Sequence, residues 1–350
     1  MMATALLATA AALLCSSPPA YPSPVLGFLS RALGDSMVLQ FDKAVVWGNT
    51  TANATVTTTI IANRSSAAAS APTVLHTIAA PDGIWRQHLP VLAASTTSHT
   101  LRFVSSSGEI ASLQNVLLGQ VVLCSGQSNM QFSLPITTNA TAEIAAADNF
   151  PSIRLFTVGQ YNLSHVPWQD LEAIEQPWTV ASSRTVAGAN ASMPASPMGK
   201  GWNYFSSVCW LYGKRLSEQL QKQHGSVVPI GLISANYENT KIEWWADINS
   251  FAECGLRDRQ SFLYNSMIAP LVLGPLGLSS IIWCEYTVAL PKPRIHSCNA
   301  CSSKELAVLH TMTYSQPRTQ CVSDAVHAQI KGRPTRSTTP THSAPPDGTM

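Results

Sequence analysis

The chain is predicted to be an α/β protein: a parallel sheet with flanking helices, preceded by a β-rich, sandwich-like module. Three observations carry this. Val121-Val122-Leu123-Cys124-Ser125 is an apolar run that stops at a small polar turn, Gly126-Gln127-Ser128-Asn129, and a helix-tolerant stretch follows Pro135. Further apolar runs then alternate with a strongly helical stretch. Upstream, short runs rich in Val, Ile and Thr are punctuated by turn signals.

Residues 22–118 supply the β-rich part. Ala44-Val45-Val46-Trp47-Gly48 is a short apolar run, and Ala54 to Ile61 is dominated by Thr, Val and Ile. Thr73 to Ile78 and Ile84 to Leu92 are further runs. Asn49-Thr50, Ala62-Asn63 and Pro81-Asp82-Gly83 separate them as turns. Strands at this spacing suggest a sandwich.

The α/β part follows. Ala140 to Ala147 is expected to be helical and Ile153 to Val158 a strand. Residues 160–201 read as a long irregular loop. Val208, Leu211, Tyr212, Leu216 and Leu220 recur at helical spacing, so Phe205 to Gln223 should be an amphipathic helix buried on that stripe. Val227 to Ser234 is the next strand, Asp258 to Leu271 a helix, and Leu278 to Trp283 a strand.

Composition narrows the function classes. In 350 residues, 45% are hydrophobic and 11% charged, well below the usual ~25% charged. A net charge of +2 gives no electrostatic case for nucleic acid. Met1 to Leu14, followed by Cys15-Ser16-Ser17-Pro18-Pro19-Ala20, reads as a signal peptide over residues 1–20, too short to span a bilayer. Six N-x-S/T sequons, at Asn49, Asn53, Asn63, Asn139, Asn162 and Asn190, point the same way: a glycosylated, secreted or lumenal protein, a lysosomal-type compartment included. No membrane span is expected. Cys124 and Cys209 lie in apolar runs and read most simply as buried thiols, since pairing cannot be read from sequence.

Ser128 is the candidate nucleophile. A serine in the turn after a buried strand sits at the C-terminal edge of the sheet, where open α/β folds place ligands. The next helix start offers N–H groups and a positive dipole end to an oxyanion. The plainer reading is that Ser128 caps that helix.

The residues Cys124-Ser125-Gly126-Gln127-Ser128-Asn129-Met130 resemble the first motif block of the sialate O-acetylesterase family, within the SGNH hydrolases. So do Met37-Val38-Leu39-Gln40, Val46-Trp47-Gly48, Asp82-Gly83-Ile84-Trp85, Ile153-Arg154-Leu155-Phe156, Phe205-Ser206-Ser207-Val208-Cys209-Trp210, Pro229-Ile230-Gly231-Leu232-Ile233 and Leu263 to Leu271. The resemblance covers residues ~30 to 283. It implies an SGNH-like (flavodoxin-like) sheet at 119–283 behind a β-rich module at 21–118. It implies a serine esterase that removes O-acetyl groups from sialic acids or related sugars, without a cofactor or metal. Ser128 would attack the acetyl carbonyl, and Gln127, Asn129, Asn239 and Glu243 would hold the oxyanion or substrate. Gly34-Asp35-Ser36 spells the serine block of many SGNH hydrolases, but it follows no apolar strand and is not expected to be catalytic.

The chain departs from the family pattern twice. Where the family has Trp-Gly-Gly-Thr, whose glycine offers an N–H to the oxyanion, this chain has Tyr237-Glu238-Asn239-Thr240. Non-glycine residues resist φ > 0, although Asn239 tolerates it better than most. Glu238 would also bring negative charge beside a developing oxyanion. After Trp283 the family continues Tyr-Gln-Gly-Glu, whereas this chain reads Cys284-Glu285-Tyr286-Thr287 and the resemblance ends.

Residues 284–350 are Pro- and Thr-rich and are expected to be largely disordered. So abrupt a break suggests alternative splicing, an unspliced intron or a shifted frame. The family's base, an Asp and His on a D-x-x-H stretch, lies far downstream. The nearest equivalent here is Asp324-Ala325-Val326-His327, which follows Trp283 early. His296 and His310 are weaker candidates. Cys298-Asn299-Ala300-Cys301 is a single ligand couple, and structural zinc sites pair two. Two other readings stand beside the esterase: a non-catalytic glycan-binding relative and a truncated product without function.

Overall fold

The structure is a computed structural model and describes residues 24–63, 71–160, 163–187, 205–249, 260–272 and 276–284. The expected signal peptide and the tail beyond Cys284 lie outside the described residues.

One strand organises what is described. β1 (Val38–Gln40), β2 (Val45–Asn49), β3 (Thr55–Ala62), β4 (Thr73–Ile78), β5 (Ile84–His88) and β6 (Ser95–Ser105) precede β7, which runs 17 residues from Ile110 to Gly126. The N-terminal half of β7 is antiparallel to β6, which continues to β3 and β4. β1 joins it in parallel, with Val38 opposite Leu117. β2 and β5 form a separate antiparallel pair. Trp47, Trp85 and Phe103 are fully buried, and the Trp85 and Phe103 rings lie 5.8 Å apart.

The C-terminal half of β7 belongs to a parallel sheet. Next come α1 (Ser128–Gln131), α2 (Ala140–Ala146), β8 (Ile153–Val158), β9 (Ile174–Val180), α3 (Ser183–Ala187), α4 (Ser207–His224), β10 (Ile230–Asn236) and β11 (Ser280–Cys284). The strand order is β9-β8-β10-β7-β11, with only β9 antiparallel to its neighbour. Alternate residues serve opposite faces, as the two-residue period of a strand requires. Val122, Cys124, Leu232 and Ile282 pack with α4, while Val121, Leu123, Ile233 and Ile281 pack with the first module and with residues 263–271. The sheet is covered on both sides, which explains why its strands read as unbroken apolar runs.

Several expectations are refined. The module boundary drawn at 118/119 falls inside the single strand β7. The loop expected at 160–201 contains β9 and α3. The expected helix near 258–271 is, where described, a π-helical turn at Tyr264–Ile268 continued by a short helix, Ala269–Val272. The buried stripe of α4 is rotated from the one predicted: Cys209, Trp210, Gly213, Ser217 and Leu220 face inward, and Leu211 is 41% exposed. Small residues set this rotation. A Cβ on Gly213 would meet a Leu232 methyl at 2.4 Å, so the helix lies close against β10 and any larger residue there would have to displace the Leu232 side chain.

Cys124 and Cys209 are not free thiols but a disulfide, tying β7 to α4 across 85 residues. Both lie on the covered face, with Cα atoms 5.7 Å apart. Closing so long a loop restricts the unfolded chain, so reduction should lower stability by about 2–4 kcal/mol. Denaturant midpoints measured with and without reductant check this, and the Cys124→Ala/Cys209→Ala double variant should lose the difference.

Candidate active site

The register brings three strand ends level. Gly126 of β7 lies opposite Asn236 of β10 on one side and opposite Cys284 of β11 on the other. Loops leaving such ends converge outside the carboxyl edge of the sheet. Gly126 has φ +144°, and a Cβ there would meet the Cys284 carbonyl oxygen at 2.1 Å. Only glycine allows the chain to turn this close to β11. The Gln127 N–H then donates to that same carbonyl at 3.3 Å.

Ser128 opens α1 and is half-buried. Its hydroxyl donates to Gln127 Oε1 at 2.8 Å, and its own N–H donates to the same oxygen at 3.2 Å. The Gln127 side chain therefore caps the helix, and Ser128 is released from the capping role that was the plainer reading of it. Asn239, on the loop after β10, has φ +56°, the left-handed conformation that the sequence made questionable. Its N–H points at Ser128 Oγ at 3.5 Å. Asparagine is among the side chains that best tolerate this backbone.

Gln127, Ser128 and Asn239 are thus brought together. Asn129 stands on the same turn as Ser128 and is half-buried. Glu243 lies on the 3-10 turn Ile242–Trp245, and no hydrogen bond among the described residues joins its side chain to Ser128. Asp324, His327, His296, His310 and the tail cysteines lie outside the described residues. Asp35 and Ser36 of the misleading serine block bond Gln114 and Asn115 at the start of β7, far along the strand from Ser128.

The loop carrying Asn239 is fastened at several points. The Tyr237 N–H donates to the Gly126 carbonyl at 3.1 Å, and Thr240 Oγ1 donates to the Tyr237 carbonyl at 2.7 Å. Trp245, fully buried, donates its indole N–H to Thr240 Oγ1 at 3.0 Å and packs edge-on against Trp283. Burial raises the Glu238 carboxyl above its ordinary range, and its Oε2 is buried without a hydrogen-bond partner among the described residues. Sequence reading missed two buried amides beside this loop, Gln131 and Gln160. The available signal was position: Gln131 directly follows the serine block, and Gln160 follows β8 at the same sheet edge. Among the described residues no cluster of three or more His, Cys, Asp or Glu could hold a metal, and no helix is long and apolar enough to cross a membrane.

Glu175, at the start of β9, gives the site's surroundings a pH dependence. Burial pushes its carboxyl up to about 7, partly offset by a hydrogen bond from the Gln160 N–H. Between about pH 4.5 and 7 the unfolded chain has released this proton and the folded chain retains it, so folding loses stability as pH rises through that window. Glu175→Gln removes the titration. Its melting temperature relative to the parent should rise from pH 5 to about pH 7 and level off toward pH 8, and thermal scans across that range check the slope.

No protein-family model matches the chain. Individual relatives do. Sialate O-acetylesterases of Pongo abelii and Homo sapiens are each 30% identical over 267 residues, covering 74% of this chain and 45% of those proteins. The chain spans a little under half the length of these curated relatives. Among solved structures, a carbohydrate acetylesterase from Xanthomonas citri superposes with a TM-score of 0.57 at 26% identity, covering 75% of this chain and 51% of that one. The sequence relatives and the shared fold agree with the serine block at the sheet edge: the chain belongs to the sialate O-acetylesterase family.

Proposed function

We propose that this chain carries the nucleophile half of a carbohydrate esterase that hydrolyses O-acetyl esters of sialic acids or related sugars. The observation that carries the reading is the Ser128 hydroxyl, presented at the level ends of three parallel strands with the Asn239 N–H directed at it. In this reading Ser128 Oγ attacks the acetyl carbonyl carbon and the carbonyl π electrons move to oxygen. The Asn239 N–H receives the oxyanion, joined by the Ser128 N–H once that group leaves Gln127 Oε1, and collapse expels the sugar alkoxide, which takes up a proton. Water then attacks the acetyl-serine and releases acetate. The reaction needs a base for the Ser128 proton, because a serine hydroxyl is a weak nucleophile alone. Its hydrogen bonds among the described residues, to Gln127 Oε1 and from Asn239, do not supply one. The sequence offers Asp324 with His327.

Secretion fits this reading. A Cys124–Cys209 disulfide suits an oxidising compartment. The sequon residues Asn53 and Asn139 are exposed on left-handed turns, where a glycan would have room.

Secreted chain should hydrolyse p-nitrophenyl acetate, and Ser128→Ala should abolish the turnover. Equal rates for the two would overturn the esterase reading and favour glycan binding without catalysis. His327→Ala then shows whether the tail supplies the base. Asn239→Gly should keep activity within a few-fold, since glycine holds the left-handed turn freely. Asn239→Val, which resists it, should lower kcat about 10- to 100-fold.

A further inference from the structure

Gln131 and Gln160 are nearly inaccessible to solvent, with relative exposures of 3% and 9%, and each uses both ends of its amide. Gln131 Oε1 accepts the Glu238 N–H at 2.7 Å. Gln131 Nε2 donates to Gln160 Oε1 at 3.1 Å. Gln160 Nε2 donates to the Asn236 carbonyl at 2.7 Å and to Asn236 Oδ1 at 3.0 Å. The chain of amides leaves α1, touches the end of β8 and returns to the end of β10, closing a ring with the backbone from Asn236 to Glu238. Its polarity is fixed. Turning the Gln131 amide over would set its NH2 against the Glu238 N–H, donor against donor.

We propose that this amide ring positions the Asn239 N–H over Ser128 Oγ, which makes Gln131 and Gln160 positioning residues of the site. The proposal rests on the reading of Ser128 as the nucleophile. Asparagine adopts the left-handed region at modest cost, but aiming its N–H at one atom needs a hold on the flanking backbone. The ring provides that. It fixes the Tyr237–Glu238 peptide, one before the peptide that carries the Asn239 N–H, through the Glu238 N–H, and it fixes the strand end three residues before Asn239 through the Asn236 carbonyl. Gln131 stands on the same short helix as Ser128, so the helix that presents the hydroxyl also dictates where the opposing N–H lies. Donor and nucleophile move as one unit.

The test uses Gln131→Met, which keeps the length of the side chain and removes both hydrogen bonds, beside Gln131→Glu, which keeps an acceptor for the Glu238 N–H. Amide exchange of residues 237–239 and the kinetics of p-nitrophenyl acetate hydrolysis are measured for both and for the parent. In Gln131→Met, exchange at Glu238 should speed up about tenfold or more, since its N–H loses its buried acceptor. Its kcat should fall about 10- to 100-fold with KM changed less than about two-fold, as a misplaced group costs rate rather than binding. Gln131→Glu should recover part of both effects. Unchanged exchange in Gln131→Met overturns the proposal, and so does a kcat loss no greater than that of Val122→Ala, a core variant remote from the ring. Should Gln131→Met fail to fold, Gln160→Met takes its place under the same criteria. If the parent hydrolyses no faster than Ser128→Ala, the esterase reading falls, and the exchange measurement alone decides the positioning claim.

Discussion

The backbone ladder along β7 is the constraint on which everything else depends. This 17-residue strand pairs, with a break at Gln114 and Asn115, with four partner strands: β6 and β1 toward the N-terminal end, β10 and β11 toward the C-terminal end. A parallel ladder admits no half-measures of register. A slip of one residue would turn Val122 and Cys124 from the α4 face to the opposite one and separate Cys124 from Cys209. The same register sets Asn236, Gly126 and Cys284 level. The site is therefore a consequence of strand pairing before it is a matter of side chains.

Gly126 converts that pairing into a turn. With the Cys284 carbonyl 2.1 Å from where a Cβ would stand, the chain leaves β7 pressed against β11, and the next N–H bonds that carbonyl. β11 is thereby a wall of the site as well as a strand of the sheet. Trp283, the last residue to match the family, packs on Trp245, which in turn holds Thr240 and the Asn239 loop. The point where the resemblance ends is thus physically coupled to the loop where the other departure occurs.

Much of this was legible beforehand. The apolar runs of β7, β8, β10 and β11 announce themselves because both sheet faces are buried. The four residues Thr73, Val74, His76 and Ile78 lie in a strand found by its β-branched content, although that strand is mostly exposed. Ser128 stood out because a serine after a buried strand has few neighbours with which to be confused. What stayed hidden has physical causes. β9 carries Pro177 and Gln176 and pairs only at the sheet edge, so it lacks the apolar signature of a central strand. The stripe on α4 was misjudged because Gly213 and Ser217 are chosen for closeness of approach, not hydrophobicity. Gln131 and Gln160 gave no periodic signal, since a buried amide is explained only by its partners.

The sequence by itself determined the fold class, the serine turn at the sheet edge and the family, because hydrophobic period, turn chemistry and a short motif are local properties of the chain. The tertiary structure decided the rest: that Cys124 meets Cys209, that Asn239 adopts a left-handed backbone with its N–H toward Ser128, and that two glutamines bind the loop to the helix. Each of these depends on groups that lie from about thirty to more than a hundred residues apart, brought together by the register of a parallel sheet. No local pattern encodes such a meeting, and the distances between its members exist only once the strands are paired.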